Sequence, residues 1–398
     1  MNSREHFLAV MDFEPVPTMK WEFGFWAGAV RRWYTEGLAC RAGIPEGWND
    51  GRAVQSGSGA WDPGRVQDFD VRDAFGLEEG LQRVYLNNYL CPPFKEEVIE
   101  DHADWQLVRD EKGMVVRKPK RHDTLVSFVR GPVESRDDWE ELKAERLKPV
   151  LDGRLSSDWK LLCDGYRKRS YPLVLGGSQG FFGTPRYLFG ETQVLFAYYD
   201  MPDLMHEIVD YLADFWIALY SQVLDQIDVD AVRIWEDMCY KTGPLVSPAI
   251  FREFILPGYK KLIGYLRERG VRHFHVDSDG NVSKLLPLWV EAGVTGLYPF
   301  EVMAGMDVRQ VRETFPRLQI LGGIDKTALA AGREAIDREL DERMPFMLAR
   351  GGYIPHVDHH VPPDVSWADF AYYRRRLNDM IDSQHSLRTP TGRSQGRA

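Results

Sequence analysis

Cysteine is scarce. The four in 398 residues, Cys40, Cys91, Cys163 and Cys239, stand far apart and form no CxxC pair. That offers no disulfide framework and no thiolate knuckle, and it points to reduced thiols in a cytoplasmic protein. Basic excess is also missing. Fifty Lys and Arg against 60 Asp and Glu leave a formal charge of −10, the wrong sign for a nucleic-acid face. No stretch approaches the ~18 consecutive apolar residues of a membrane span. The opening MNSREHFLAVMDFEP carries charges throughout and does not read as a signal peptide. No GxGxxG follows an apolar run, and GGSQGFFG (176–183) lacks the lysine and serine of a phosphate loop.

What is present is periodic. Short apolar runs recur as YPLVLGG (171–177), DAVRIWED (230–237), RHFHVDSD (272–279), TGLYPFE (295–301), LQILGGID (318–325) and GGYIPHVD (351–358), each followed by a helix-like segment. Pro202 to Ile227 carries Leu204, Ile208, Leu212, Phe215, Leu219 and Ile227 on one stripe, behind Pro202 and Asp203 in its first turn. The next helix opens at Ser247–Pro248 and stops at Gly270. Asp307 with Gln310, and Ser366 with Asp369, read as capping pairs. Strand and helix in alternation mean a parallel sheet covered by helices. With PTMKWEF (17–23) as a first strand, seven are visible. The expected fold class is therefore α/β, a (β/α)8 TIM barrel with one strand unplaced; an open doubly wound sheet is the runner-up. Residues 50–150 read as a β-rich insertion or cap, with Glu111–Lys112–Gly113 as a hairpin turn. The expectation is a single domain over 1–383 and a disordered tail over 384–398.

Polar residues gather where the strands end: Trp21–Glu22, Glu236–Asp237, His275–Asp277–Asp279, Glu301, Asp325 and His356–Asp358–His359–His360. That end is the active face of a parallel barrel. Residues two apart on a strand share a face, about 6–7 Å apart. His273, His275 and Asp277 therefore face one way while Phe274 and Val276 pack on helices. Glu236 shares its phase with Val232 and Ile234 and is expected to crown an inward stripe, with Arg233 pointing away. Glu236, Asp277, Glu301, Asp325 and Asp358 converge with few cations near them in sequence, Lys326 being the obvious one. Such carboxylates need a metal, a cationic substrate or a shared proton. His273 and His360 also read as packing residues, and Asp279 and Asp325 equally as turn or cap residues.

The segments WEDMCYKTGPLVSPAIFREFILPGYKKLI, HVDSDGN, GLYPFEV, LGGIDK and GGYIPHVDHHVPPDV together resemble the uroporphyrinogen decarboxylase superfamily. The resemblance runs from about Arg4 to Met380 and implies the barrel fold. It also implies one of two chemistries: cofactor-free decarboxylation of uroporphyrinogen, or zinc-dependent methyl transfer involving a corrinoid protein or a thiol. The family's arginine motif of the form MRQAGR is replaced here by MKWEFGFWAG, and an acidic rim would repel a substrate with eight carboxylates. The expected activity is therefore that of a methyltransferase or demethylase acting on a small methylated substrate. Zinc would be held by Glu236, His275, Asp277 and His359, in place of a His-x-Cys pair and a second Cys. Glu253, though near the Glu/Glu/His pattern of the O-demethylases, reads as helix surface. The corrinoid would sit on a separate partner protein, and a homodimer is the analogy with related barrels. Catalytic roles fall to Glu236, His275, Asp277, Glu301 and His359. Substrate contacts fall to Trp21, Glu22, Trp235, Tyr298, Asp325 and Asp358. A metal-free decarboxylase or lyase on a small carboxylic acid, and a non-catalytic binding protein, stand as alternatives.

Overall fold

The computed structural model describes residues 1–41, 50, 53–55, 69–120, 127–177 and 179–388, with only the backbone of 53–55 and 385–388. They form two compact units. One holds Met1–Gly80, Ser170–Pro172 and Asp307–Ala398; the other holds Leu81–Arg169 and Leu173–Met306. The fold class is the expected one, α/β of the (β/α)8 barrel kind with an antiparallel sheet inserted before most of the parallel strands.

In the second unit, parallel strands neighbour one another in the order Gln82–Arg83, Leu173–Gly176, Ala231–Trp235, His273–Asp277 and Gly296–Tyr298. Gln82–Arg83 opens the alternating QRVYLNN run, which reads in sequence as part of the β-rich 50–150 insertion but belongs to the parallel sheet. It is two residues long, carries no apolar run, and pairs in parallel with Leu173 and Val174. Helix Pro202–Leu224 buries Leu204, Ile208, Leu212, Phe215 and Leu219 as its stripe predicts, and it ends ahead of Ile227. The Ser247 hydroxyl accepts the Ile250 N–H and starts the next helical stretch, whose Phe251–Ile255 turn is π-helical before Leu256–Glu268 continues. The inserted sheet pairs Glu97–Asp101, Trp105–Arg109, Val115–Pro119 and Ser127–Arg130 in sequence, each antiparallel to the next.

In the first unit, Gln319–Leu321 and Tyr353–Ile354 pair in parallel, with single parallel bridges Phe25↔Val361 and Ile324↔Val357. The expected strand 17–23 does not form. Pro17 has no N–H, the Lys20 N–H goes to the Glu78 carboxylate, and the Trp21 carbonyl accepts from Arg374, so side chains take over the ladder bonds. The regular strand is Gly24–Trp26, antiparallel to Ala53–Gln55. Asp307 caps its helix through the Arg309 N–H, and Ser366 and Asp369 bond reciprocally at the head of the last helix, Trp367–Arg388. The remainder of the expected tail, 389–398, lies outside the described residues. Among the described residues no helix is long and apolar enough to cross a membrane.

Candidate active site at the strand ends

Strand register settles which side chains meet. His275 lies opposite Arg233, Asp277 opposite Trp235, and Val276 opposite Ile234. Directly paired residues share a face, so Arg233, Trp235, His275 and Asp277 form one surface while Val232, Ile234, Phe274 and Val276 form the other. Arg233 therefore does not point away as expected; its guanidinium makes an ion pair with the Asp277 carboxylate and lies 4.9 Å from the Tyr298 ring.

The same register corrects Glu236. It keeps the phase of Val232 and Ile234, but that phase packs on the helices. Its side chain is fully buried. One oxygen accepts from the Phe181 N–H at 2.9 Å and the Tyr259 hydroxyl at 2.5 Å. The other accepts from the Phe182 and Gly183 N–H groups at 2.7 and 2.8 Å. Burial raises its pKa, and these four donors pull it back. Both oxygens are spent, and on the wrong face for a metal shared with His275. The expected zinc set that includes Glu236 does not fit.

Asp237 takes the place left open. Its backbone is left-handed, φ 42°, a conformation that Asp tolerates better than most residues. Its carboxylate joins those of Asp277 and Asp279, with ligand atoms from all three within 4.8 Å of one another. Burial and the neighbouring Asp277 push the Asp237 carboxyl up to about 7, against the pull of the Asp279 N–H, Arg186 and Arg233. Arg186 donates to the Asp237 carbonyl oxygen at 3.0 Å and pairs with Glu191. Glu301 stands beside the group, its carboxylate accepting the Gly280 N–H at 2.9 Å. Trp235 stacks on Tyr187, ring centres 5.1 Å apart at 9°. His275 is buried on the face of Asp277, one alternation back along the strand, and is not part of the three-carboxylate group. Tyr298 is buried next to Arg233. Glu253 is exposed, as read.

The remaining predicted residues belong to the first unit. Glu22 is not a rim group. It is fully buried and accepts from the Val357 N–H, the Phe23 N–H, Tyr373 and Arg374. Asp358 is likewise buried, with Lys326 at its carboxylate through both backbone N–H and ammonium. Asp325 is a helix cap, accepting from the Thr327 N–H at 2.8 Å and hydroxyl at 2.7 Å. These three corrections have one cause: backbone and cation donors close by in the fold claim carboxylates that look free in sequence. Trp21 is buried edge-on against His356. His359 lies within an aromatic group with Phe23, Trp26 and His360, its Nδ1 3.3 Å from that of His360.

Sequence reasoning passed over Asp237, Arg233 and Arg186. Asp237 had a signal. One residue past Glu236, the two-residue period sets it on the opposite face, the face of His275 and Asp277.

A uroporphyrinogen decarboxylase (URO-D) family model matches residues 123–377. Relatives named uroporphyrinogen decarboxylase include the protein of Nocardia farcinica, 29% identical over 60% of this chain and 66% of its own length. Those of Streptomyces coelicolor (27%, 42% of this chain and 44% of its own) and Pseudomonas savastanoi pv. phaseolicola (26%, 47% and 51%) also match. The chain thus matches less than two thirds of their lengths. A solved structure of a B12-independent methionine synthase from Shewanella sp. W3-18-1, in complex with selenomethionine, aligns with TM-score 0.40 and 10% identity over 80% of this chain and 86% of that one. With the family model spanning most of its length, this chain belongs to the uroporphyrinogen decarboxylase family.

Proposed function

We propose that the chain is a family enzyme that holds a divalent cation on Asp237, Asp277 and Asp279 and transfers a methyl group between a small substrate and a corrinoid on a separate protein. The cation half rests on one observation, three carboxylates with ligand atoms within 4.8 Å at strand ends that also carry an aromatic wall. The methyl and corrinoid half rests on the sequence resemblance alone. All-oxygen donors suit magnesium, manganese or calcium better than zinc. Such an ion supplies Lewis acidity toward an oxygen of the bound substrate. The chain's own residues do the positioning: Arg233 fixes Asp277, the left-handed backbone turns Asp237 into the group, and the Asp279 N–H reaches toward the Asp237 carboxylate at 3.4 Å.

The test is metal content of the purified full chain, followed by Mn²⁺ titration by calorimetry. One equivalent per chain for the wild type and at least a tenfold weaker site in Asp279→Asn are expected; a wild type that takes up no divalent cation refutes the reading. Arg233 and Arg186 at the same ends favour a second one, a metal-free lyase or decarboxylase on a small acid, which that negative result would promote.

A further inference from the structure

The inserted sheet approaches the strand ends through the turn that carries Lys112, which meets Tyr187 beside Trp235. The turn between Trp105–Arg109 and Val115–Pro119 is held by Asp110, whose carboxylate accepts the Lys112 and Met114 N–H groups, both at 2.9 Å. Gly113 follows at φ 81°, and a Cβ there would meet the Phe94 ring at 2.6 Å, so the turn has one shape. Val108, Met114 and Val116 below the tip form an apolar cluster against which Tyr187 packs.

That docking puts Lys112 in an unusual place. Its ammonium lies 3.7 Å from the centre of the Tyr187 ring, and Tyr187 in turn stacks on Trp235, the residue opposite Asp277. Lys112 is half-buried and makes no ion pair among the described residues. One oxygen of the nearby Asp110 carboxylate accepts both turn N–H groups, and the carboxylate makes no ion pair with the Lys112 ammonium. A tyrosine face attracts the cation but, unlike a carboxylate, does not neutralise its charge. Burial lowers the Lys112 pKa and Arg186 lowers it further, against Asp110 and Glu111. Two cations, Lys112 and Arg186, thus flank the Tyr187–Trp235 stack, Arg186 5.9 Å from the Trp235 ring. Arg186 is already paired with Glu191, whereas Lys112, with Asp110 and Glu111 acting on it only at longer range, forms no ion pair among the described residues.

We propose that Lys112, flanked by Arg186, is the subsite for an anionic group, carboxylate or phosphate, on the molecule that reacts at the Asp237–Asp277–Asp279 cluster, and that the inserted sheet exists to deliver it. This rests on the reading of that cluster as the reacting centre, and it narrows the substrate to one bearing a negative group one ring stack away. The obvious competitor is a cation–π lock that only stabilises the hairpin.

The experiment is calorimetric titration of the full chain with benzoate and, separately, inorganic phosphate at fixed ionic strength, on wild type, Lys112→Met and Lys112→Arg, with thermal midpoints beside each. Saturable binding of at least one probe to wild type is expected. The affinity should fall about tenfold in Lys112→Met and recover to within about threefold in Lys112→Arg, with the midpoint falling by no more than a few degrees from loss of the ring contact. Which probe binds tells carboxylate from phosphate. No saturable binding of either, or equal affinity in wild type and Lys112→Met, overturns the proposal, as does a lowered midpoint with unchanged affinity. Anion uptake is read without added divalent metal, so it fails or succeeds independently of the Mn²⁺ result.

Discussion

Replacing Glu236 separates a structural carboxylate from a chemical one. Glu236→Ala removes the acceptor for three backbone N–H groups and one hydroxyl in a place with no exposed surface. A buried donor left without a partner costs about 1–3 kcal/mol, and a hydrogen bond to a charged group nets about 1.5–3. Four at the low end approach ~4 kcal/mol. Relief from keeping a carboxylate out of water works the other way, but broken buried pairs still measure about 3–5 kcal/mol. For a unit of roughly 200 residues, about 2–4 °C per kcal/mol makes the expected fall of order 10 °C in thermal midpoint. Glu236→Gln keeps one acceptor oxygen and should lose about half of that. Tyr259→Phe removes one donor along with its need for an acceptor and should lose about 1 kcal/mol. The assay is differential scanning calorimetry on the three variants and wild type, with Mn²⁺ titrations alongside. A Glu236→Ala protein that melts within about 2 °C of wild type while losing the cation would make Glu236 a ligand after all and refute the assignment of faces.

Two further outcomes follow from buried titratable groups. His356 is fully buried, its Nδ1 2.6 Å from the Val357 carbonyl oxygen, and burial lowers its pKa to about 3. The folded state stays neutral where the unfolded chain takes up a proton near 6.5, so the stability is present above that pH and is lost as pH falls toward 3. At about 1.4 kcal/mol per pH unit, going from pH 7 to 5 should cost wild type about 2 kcal/mol more than His356→Phe in urea unfolding, and equal losses would count against it. Asp230 and Arg169, both nearly inaccessible, pair through two guanidinium nitrogens while Asp230 also accepts the Leu173 N–H. Arg169→Met should therefore cost about 3–5 kcal/mol, and less than 1 kcal/mol by chemical denaturation would show the pair to be dispensable.

Alternating strands and helices were plain in the sequence because each strand buried on both faces writes a continuous apolar run. The strand at Gln82–Arg83 wrote none, being two residues long. The first expected strand failed because Glu78 and Arg374, remote in sequence, took its backbone bonds. At the site, the strand period correctly grouped Glu236 with Val232 and Ile234, and His275 with Asp277. A period states which residues lie together but not which side is the helix layer, and a single inversion exchanged the faces expected for Glu236 and Arg233. Cross-strand register removes that ambiguity, and register is a relation between two segments that neither segment carries by itself. The same holds for Glu22 and Asp358, whose partners come from elsewhere in the chain.

Glu236 and Asp237 are neighbours on the chain, yet one serves the packed interior and the other the open end, joined by a single peptide unit bent into an uncommon shape. A substitution that slackens the inner anchor would let that peptide relax and swing the outer carboxylate off its companions. Screens confined to solvent-facing positions would overlook this lever. Paired changes at Tyr259 and Asp279, on opposite sides of that peptide, should accordingly combine non-additively.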